Sequence, residues 1–233
     1  MLNNNIEVWI EDLHANNAEY GGYWNVLDDK ERNKALRFSH KIHSGRYVVS
    51  HGKLRAILAS YIGMAPENIR FAVEDFGKPY ISIDGQEPEV KFNLSHSGRK
   101  MIVAVGLHGQ IGVDIEEWNG RVDYDSVVSS CFAEVERCFW NGLPEDRKDA
   151  FFYRLWTRKE SFVKAVGVGL GLDVSEVISS SVGKAHFLSV PEGYGLAGDW
   201  ALADLDFGGG ISAALTVPAK YYKGIELRRL ECG

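Results

Sequence analysis

Tyr61-Ile62-Gly63 closes one helix-patterned stretch and Ala165-Val166-Gly167 closes another, and the segments after the two glycines are alike. Fourteen residues after Gly63 comes Gly77-Lys78-Pro79, and sixteen after Gly167 comes Gly183-Lys184-Ala185. From Gly63 to the apolar strand at Ile102 is 39 residues; from Gly167 to the one at Ile211 is 44. Recurrence of order and spacing is the mark of duplication. It predicts an α+β chain of two similar α/β halves, residues 1–108 and 109–233, with a cleft between them. The helix before Gly63 runs from about Ser44 to Tyr61, with Tyr47, His51, Leu54, Leu58 and Tyr61 on one stripe. The helix before Gly167 runs from about Arg147. Strands are expected at 7–10, 69–71, 90–92, 101–105, 111–115, 176–178, 185–188 and 211–217. A further helix begins after Asp28-Asp29, and His108-Gly109 suits a hairpin turn into the strand at Ile111.

Composition narrows the class. The 233 residues are 45% hydrophobic and 25% charged, which is ordinary for a globular chain and excludes disorder and collagen-like repeats. No apolar run approaches the roughly 20 residues of a membrane span. Met1-Leu2-Asn3-Asn4-Asn5 lacks the basic and apolar start of an export signal, so a cytoplasmic location is expected. Cys131, Cys138 and Cys232 are too scattered for a disulfide framework or zinc site and read as plain thiols. The net charge is −6, yet Lys30, Arg32, Lys34, Arg37, Lys41, Arg46, Lys53 and Arg55 oppose the single acid Glu31 within one stretch. That segment carries +7 and leaves −13 for the remainder. It reads either as a solvated helical face or as a local cradle for a phosphorylated ligand. The acidity of the whole argues against nucleic-acid binding.

Four short stretches could carry chemistry. In Ile111-Gly112-Val113-Asp114-Ile115-Glu116, strand alternation sends Ile111, Val113 and Ile115 one way and Gly112, Asp114 and Glu116 the other. The two acids are either a solvated polar face or a site for a divalent cation such as magnesium. On the second long helix, Tyr153, Trp156, Glu160 and Lys164 share a face. Lys164 is then either a simple ion-pair partner for Glu160 or, with Lys159, a phosphate ligand, leaving Glu160 as a metal ligand or base. Phe92-Asn93-Leu94-Ser95-His96-Ser97-Gly98 can present Ser95 and His96 to a ligand. Phe76-Gly77-Lys78-Pro79-Tyr80 fixes Lys78 on a stiff turn.

Taken together and in this order, Gly77-Lys78-Pro79, Phe92-Asn93-Leu94-Ser95-His96-Ser97, Ile111-Gly112-Val113-Asp114-Ile115-Glu116 and Trp156-Thr157-Arg158-Lys159-Glu160-Ser161 resemble the ordered motifs of the Sfp-type 4′-phosphopantetheinyl transferases. The resemblance spans about residues 28 to 167. It implies a pseudo-duplicated α+β fold with the active site between the halves. The implied reaction moves the phosphopantetheine arm of coenzyme A to a serine of an apo acyl or peptidyl carrier protein, releasing adenosine 3′,5′-bisphosphate. By the same resemblance Asp114, Glu116 and Glu160 hold Mg2+ (or Mn2+), Glu160 accepts the serine proton, and Lys164 stabilises or protonates the leaving group. Lys34 and Arg46 match contacts to the 3′-phosphate, Lys78 and Pro79 the adenine lining, Ser95 and His96 the phosphates, with Lys159 beside them. Glu31 departs from the pattern, where the family often has a lysine; either adjacent Lys30 has moved in or the phosphate contact is thinner. A monomer is expected, with carrier docking between Arg121 and Leu143, where Val122, Val127, Phe132 and Trp140 are candidates whose alternative role is packing. The competing readings are a metal-dependent phosphohydrolase and a non-enzymatic coenzyme A or nucleotide binding module.

Overall fold

The computed structural model describes residues 5–107, 109–120 and 122–230. The first half comprises β1 (Ile6–Asp12), α1 (Asn17–Val26), α2 (Asp29–Leu36), α3 (Lys41–Ile62), β2 (Phe71–Val73), β3 (Pro79–Ile81), β4 (Val90–Ser97) and β5 (Lys100–Leu107). The second comprises β6 (Gly112–Glu117), α4 (Tyr124–Cys131), α5 (Glu134–Asn141), α6 (Glu145–Val166), β7 (Ile178–Ser179), β8 (Phe187–Ser189), β9 (Trp200–Leu205), β10 (Ile211–Pro218) and β11 (Ile225–Arg228). No helix is long and apolar enough to cross a membrane among the described residues.

The duplication is visible in the topology. Helices α3 and α6 are each 22 residues long, and each stops on a glycine in the left-handed region, Gly63 at φ 66° and Gly167 at φ 78°. A side chain at either position would be strained, so glycine ends the helix there. In one sheet the order is β11-β1-β5-β4, in the other β6-β10-β9. Thus β1-β5-β4 and β6-β10-β9 repeat the same antiparallel pairing, and the small pairs β2–β3 and β7–β8 repeat as well. This is the α+β fold of two similar halves.

The sequence reading leaves out α1, β3 and β9, and three further details differ from it. Strand β6 pairs with β10 rather than β5, so the connection near Gly109 carries the chain between sheets instead of closing a hairpin; His108 lies outside the described residues. Strand β11 returns to pair in parallel with β1, so the end of the chain belongs to the first half's sheet. The acidic, aromatic stretch before α6 contains two short helices, α4 and α5, the first of them capped by Asp123.

The two sheets bury a shared core. Ile6, Val8 and Ile10 of β1 pack with Ile111, Val113 and Ile115 and with Leu215 and Val217. Helix α3 covers the other face of the first sheet through Val49, Leu54, Ile57 and Leu58. Helix α6 covers the second through Phe162 and Val166 against Leu202 and Ala214. The approach of α6 to β6 is unusually close. A Cβ on Gly112 would lie 1.9 Å from the Ser161 carbonyl oxygen and 2.2 Å from the Ala165 nitrogen. Both are backbone atoms of a helix and have no free rotor to move aside. Gly112→Ala is therefore expected to destabilise the protein by at least the roughly 1–3 kcal/mol of an overpacked core, read as a lower urea midpoint with the m-value unchanged.

Candidate functional site

Strands β4 and β6 stand edge to edge in different sheets, joined by side chains. Asn93, Ser95 and Ser97 alternate along β4 and so share one face. Asn93 Oδ1 accepts the Val113 amide at 2.8 Å, Ser95 Oγ donates to Asp114 Oδ1 at 2.8 Å, and Ser97 Oγ donates to Glu116 Oε2 at 2.6 Å. Helix α6 closes the seam from its side. Lys164 Nζ donates to Asp114 Oδ1 at 2.5 Å and to Ser95 Oγ at 2.7 Å. Lys164 thus pairs with Asp114 within the second half and reaches across the halves to Ser95, rather than pairing with Glu160 along its own helix.

The three acids share this neighbourhood and disturb one another. Burial raises the carboxyl of Asp114, against the opposing pull of Lys164 and Ser95. Burial raises Glu116, Ser97 partly offsets it, and the Asp114 charge raises it further. Glu160 is raised by burial and then by the charges of Asp114 and Glu116. Among the described residues the Glu160 carboxylate has no hydrogen-bond or ion-pair partner. Asp114 Oδ2 is buried and likewise unpartnered. No group of three or more His, Cys, Asp or Glu side chains is gathered to hold a metal ion as it stands, among the described residues. The donor chemistry nevertheless fits a hard cation: carboxylate oxygens only, mutually repelling, one of them buried without a partner.

A cleft of about 460 Å³ opens at the seam, lined by Phe76, Pro79, Leu94, Trp156, Glu160 and Lys164 among others. A second hollow of about 140 Å³ is lined by Phe38, His43, Arg46, Tyr47 and His96. Leu94 and His96 are two residues apart on the same face of β4, roughly 7 Å, so the two hollows succeed one another along the strand. Lys34 reaches the smaller one through Tyr47, its Nζ 5.1 Å from the ring centroid.

Two models of known families match the chain. A 4′-phosphopantetheinyl transferase N-terminal model covers residues 13–108, and a 4′-phosphopantetheinyl transferase superfamily model covers residues 110–204. The 4′-phosphopantetheinyl transferase HetI of Nostoc sp. is 30% identical over 206 residues, spanning 88% of this chain and 84% of its own. A 4′-phosphopantetheinyl transferase of Bacillus subtilis is 33% identical over 171 residues, spanning 72% of this chain and 73% of its own. The transferase Sfp of Bacillus subtilis is 31% identical over 161 residues, 69% of each chain. The chain belongs to the 4′-phosphopantetheinyl transferase family. Its activity is the transfer of phosphopantetheine to carrier proteins.

Several residues singled out in the sequence of this transferase lie elsewhere than expected. Lys159 does not face the cleft. It is fully buried, 2.8 Å from Glu136 and donating to the carbonyls of Val174 and Val177, because its side chain leaves α6 toward α5. Lys78 borders the cleft, but its ammonium caps backbone, donating to the carbonyls of Ile111, Lys164 and Ala165. Burial lowers it to about 8. Phe132 and Trp140 are core residues stacked among Phe151, Phe152 and Tyr153, with Val122 and Val127 packed against them, so they offer no docking face. Arg121 and Cys232 lie outside the described residues; Cys131 and Cys138 are free thiols. Asn93, Ser97 and Gly112 were missed as site-building residues, although the alternation Asn93-x-Ser95-x-Ser97 was there to be seen.

Glu31 explains its own departure from the family pattern. It is buried, accepting from His51 Nδ1 at 2.8 Å and Arg55 Nε at 2.9 Å while capping α2 through the Asp28 amide at 2.9 Å. A lysine here would face Arg55. Burial alone would raise the Glu31 carboxyl, but the bonds from His51 and Arg55 outweigh it and hold it at about 2. Because the folded value lies below the free one, the stabilisation is complete above about pH 4.5 and drains away as pH falls toward 2. Glu31→Gln should flatten that acid limb, removing roughly 3 kcal/mol of the pH dependence. Urea unfolding at pH 7, 5 and 3 measures it.

Proposed function

We propose that this transferase takes coenzyme A along the two hollows of β4 and delivers its phosphopantetheine arm to a serine of an apo acyl or peptidyl carrier. Arg46, Lys34 and His96 receive the phosphates at the smaller hollow, and the pantetheine arm lies in the larger one against Phe76, Leu94 and Trp156. One observation carries the reading: the ammonium of Lys164 bridges Ser95 and Asp114 at the wall of a cleft into which the unpaired Glu160 also opens. A cation, a hydroxyl and a free carboxylate at one point suit a displacement on a diphosphate.

In that displacement the serine oxygen forms a bond to the phosphorus bearing pantetheine. The bond from that phosphorus to the oxygen of adenosine 3′,5′-bisphosphate breaks. Glu160 takes the serine proton, and Lys164 faces the charge that grows on the leaving phosphate. Ser95 holds Lys164 in place on one side and Asp114 does so on the other. Asp114, Glu116 and Glu160 would hold magnesium, which when bound supplies charge neutralisation for the diphosphate. Both sides of the seam come from one chain, which supports a monomer as the active unit.

Incubated with magnesium and coenzyme A, the purified protein should add one phosphopantetheine mass to an apo carrier, seen by intact-protein mass spectrometry. Glu160→Gln and Asp114→Ala should each slow this by about 10²- to 10⁴-fold, the range for loss of a proton acceptor or a preorganised charge. Phosphate release with no carrier present, and no mass gain on any fatty-acid, polyketide or peptide carrier, would instead assign a phosphohydrolase. Unaltered turnover in the Asp114→Ala protein would remove the seam from the mechanism.

A further inference from the structure

The basic stretch from Lys30 to Arg55 is only partly used by the fold and the donor groove. Arg55 is buried against Glu31, and Lys53 pairs with Glu11 at 2.8 Å. Arg32 bonds the carbonyls of Trp24 and Asn25 and lies 3.8 Å from Asp29. Lys34 and Arg46 belong to the groove. Lys30, Arg37 and Lys41 remain, exposed and without an ion pair among the described residues. Arg37 and Lys41 stand where α2 turns into α3, and at this corner Leu36 is 71% exposed, Ile42 59% and Phe38 37%. Ser44 Oγ donates to the Ala35 carbonyl at 2.8 Å and holds the turn closed, so these side chains are presented on an ordered corner. Phe38 still packs on Tyr47, but Leu36 and Ile42 stand in water beside unpaired cations, and such a combination marks a contact surface.

We infer that this corner is the docking surface for the carrier, which meets it with an apolar tip ringed by acidic groups. The inference rests on the proposed donor groove. Phe38 forms the wall of the small hollow with Arg46 and His96, and the next residue back along β4, Ser95, holds Lys164. A partner seated on the corner therefore stands at one end of the donor groove, whose other hollow holds Lys164 and Glu160. Charge selects its chemistry: on a chain of net charge −6, a local cluster of unpaired cations attracts an acidic surface and the rest of the chain repels it. Leu36 and Ile42 then supply the apolar contact.

The test measures carrier KM, kcat, and coenzyme A affinity by calorimetry for the double variants Arg37→Glu with Lys41→Glu and Leu36→Ala with Ile42→Ala. The charge-reversed protein should show a carrier KM raised about tenfold or more at low salt, with its salt dependence largely gone. Its kcat at saturating carrier and its coenzyme A affinity should stay within about twofold. The apolar variant should raise KM while keeping the salt dependence, since exposed alanines leave the cations in place. A carrier KM unchanged in both variants overturns the docking surface while leaving the transfer reaction standing. Weakened coenzyme A binding with an unchanged carrier KM overturns it too, by giving the corner to the donor. A wild-type protein that modifies no carrier removes the donor groove itself, and the docking surface with it.

Discussion

Everything at the candidate site depends on how β4 and β6 meet. Two sheet edges that face each other ordinarily pair through their backbones, but here the contact runs through Asn93, Ser95 and Ser97 instead. Side-chain bonds hold the strands apart by the length of a serine or an amide. That spacing leaves room for Asp114 to be buried and Glu116 half-buried between them, with an ammonium from α6. A backbone ladder would have closed the gap and excluded every one of those groups. Gly112 makes the third side possible, since only a residue without a Cβ lets α6 lie on β6 close enough for Lys164 to reach Asp114.

Away from the seam, the duplication repeats a second, structural device. Arg55 and Lys159 each sit eight residues before the glycine that ends their helix. Arg55 is buried on Glu31 and bonds the carbonyls of Pro66 and Ile69. Lys159 is buried on Glu136 and bonds those of Val174 and Val177. In both halves the glutamate is the third residue of a short helix, where its carboxylate also caps the helix start. A buried charge is tolerable only when paired and fully bonded, and removing one partner of such a pair typically costs about 3–5 kcal/mol. The same fixture thus ties a preceding short helix and a following turn to the long helix, twice.

That device accounts for where the sequence misled. When only neighbours in the chain are considered, Lys159, next to Glu160, looks like a ligand-binding position, and Glu31 looks like a gap in a phosphate-binding run of basic residues. Each is committed inward by a partner far along the chain: Glu136 lies 23 residues before Lys159, and Arg55 24 residues after Glu31. Phe132, just past α4, and Trp140, on α5, had both roles open to them in the sequence, since aromatic side chains there fit a docking face as well as a core. Their stacking on Phe151 and Phe152 of α6 decides for the core.

Local periodicity and the paired helix-ending glycines were enough to fix the class of fold, the two halves and the inward face of Ile111, Val113 and Ile115, and the ordered motifs were enough for the family. These are short-range properties, written in spacings of two, three and four residues. Which lysine meets which acid was decided only in three dimensions. Lys164 could pair with Glu160 one turn away or with Asp114 fifty residues away, and helix geometry permits both. The close packing of α6 on Gly112 and the serine-spaced edge of β4 settle it for Asp114, and they leave Glu160 open to the cleft.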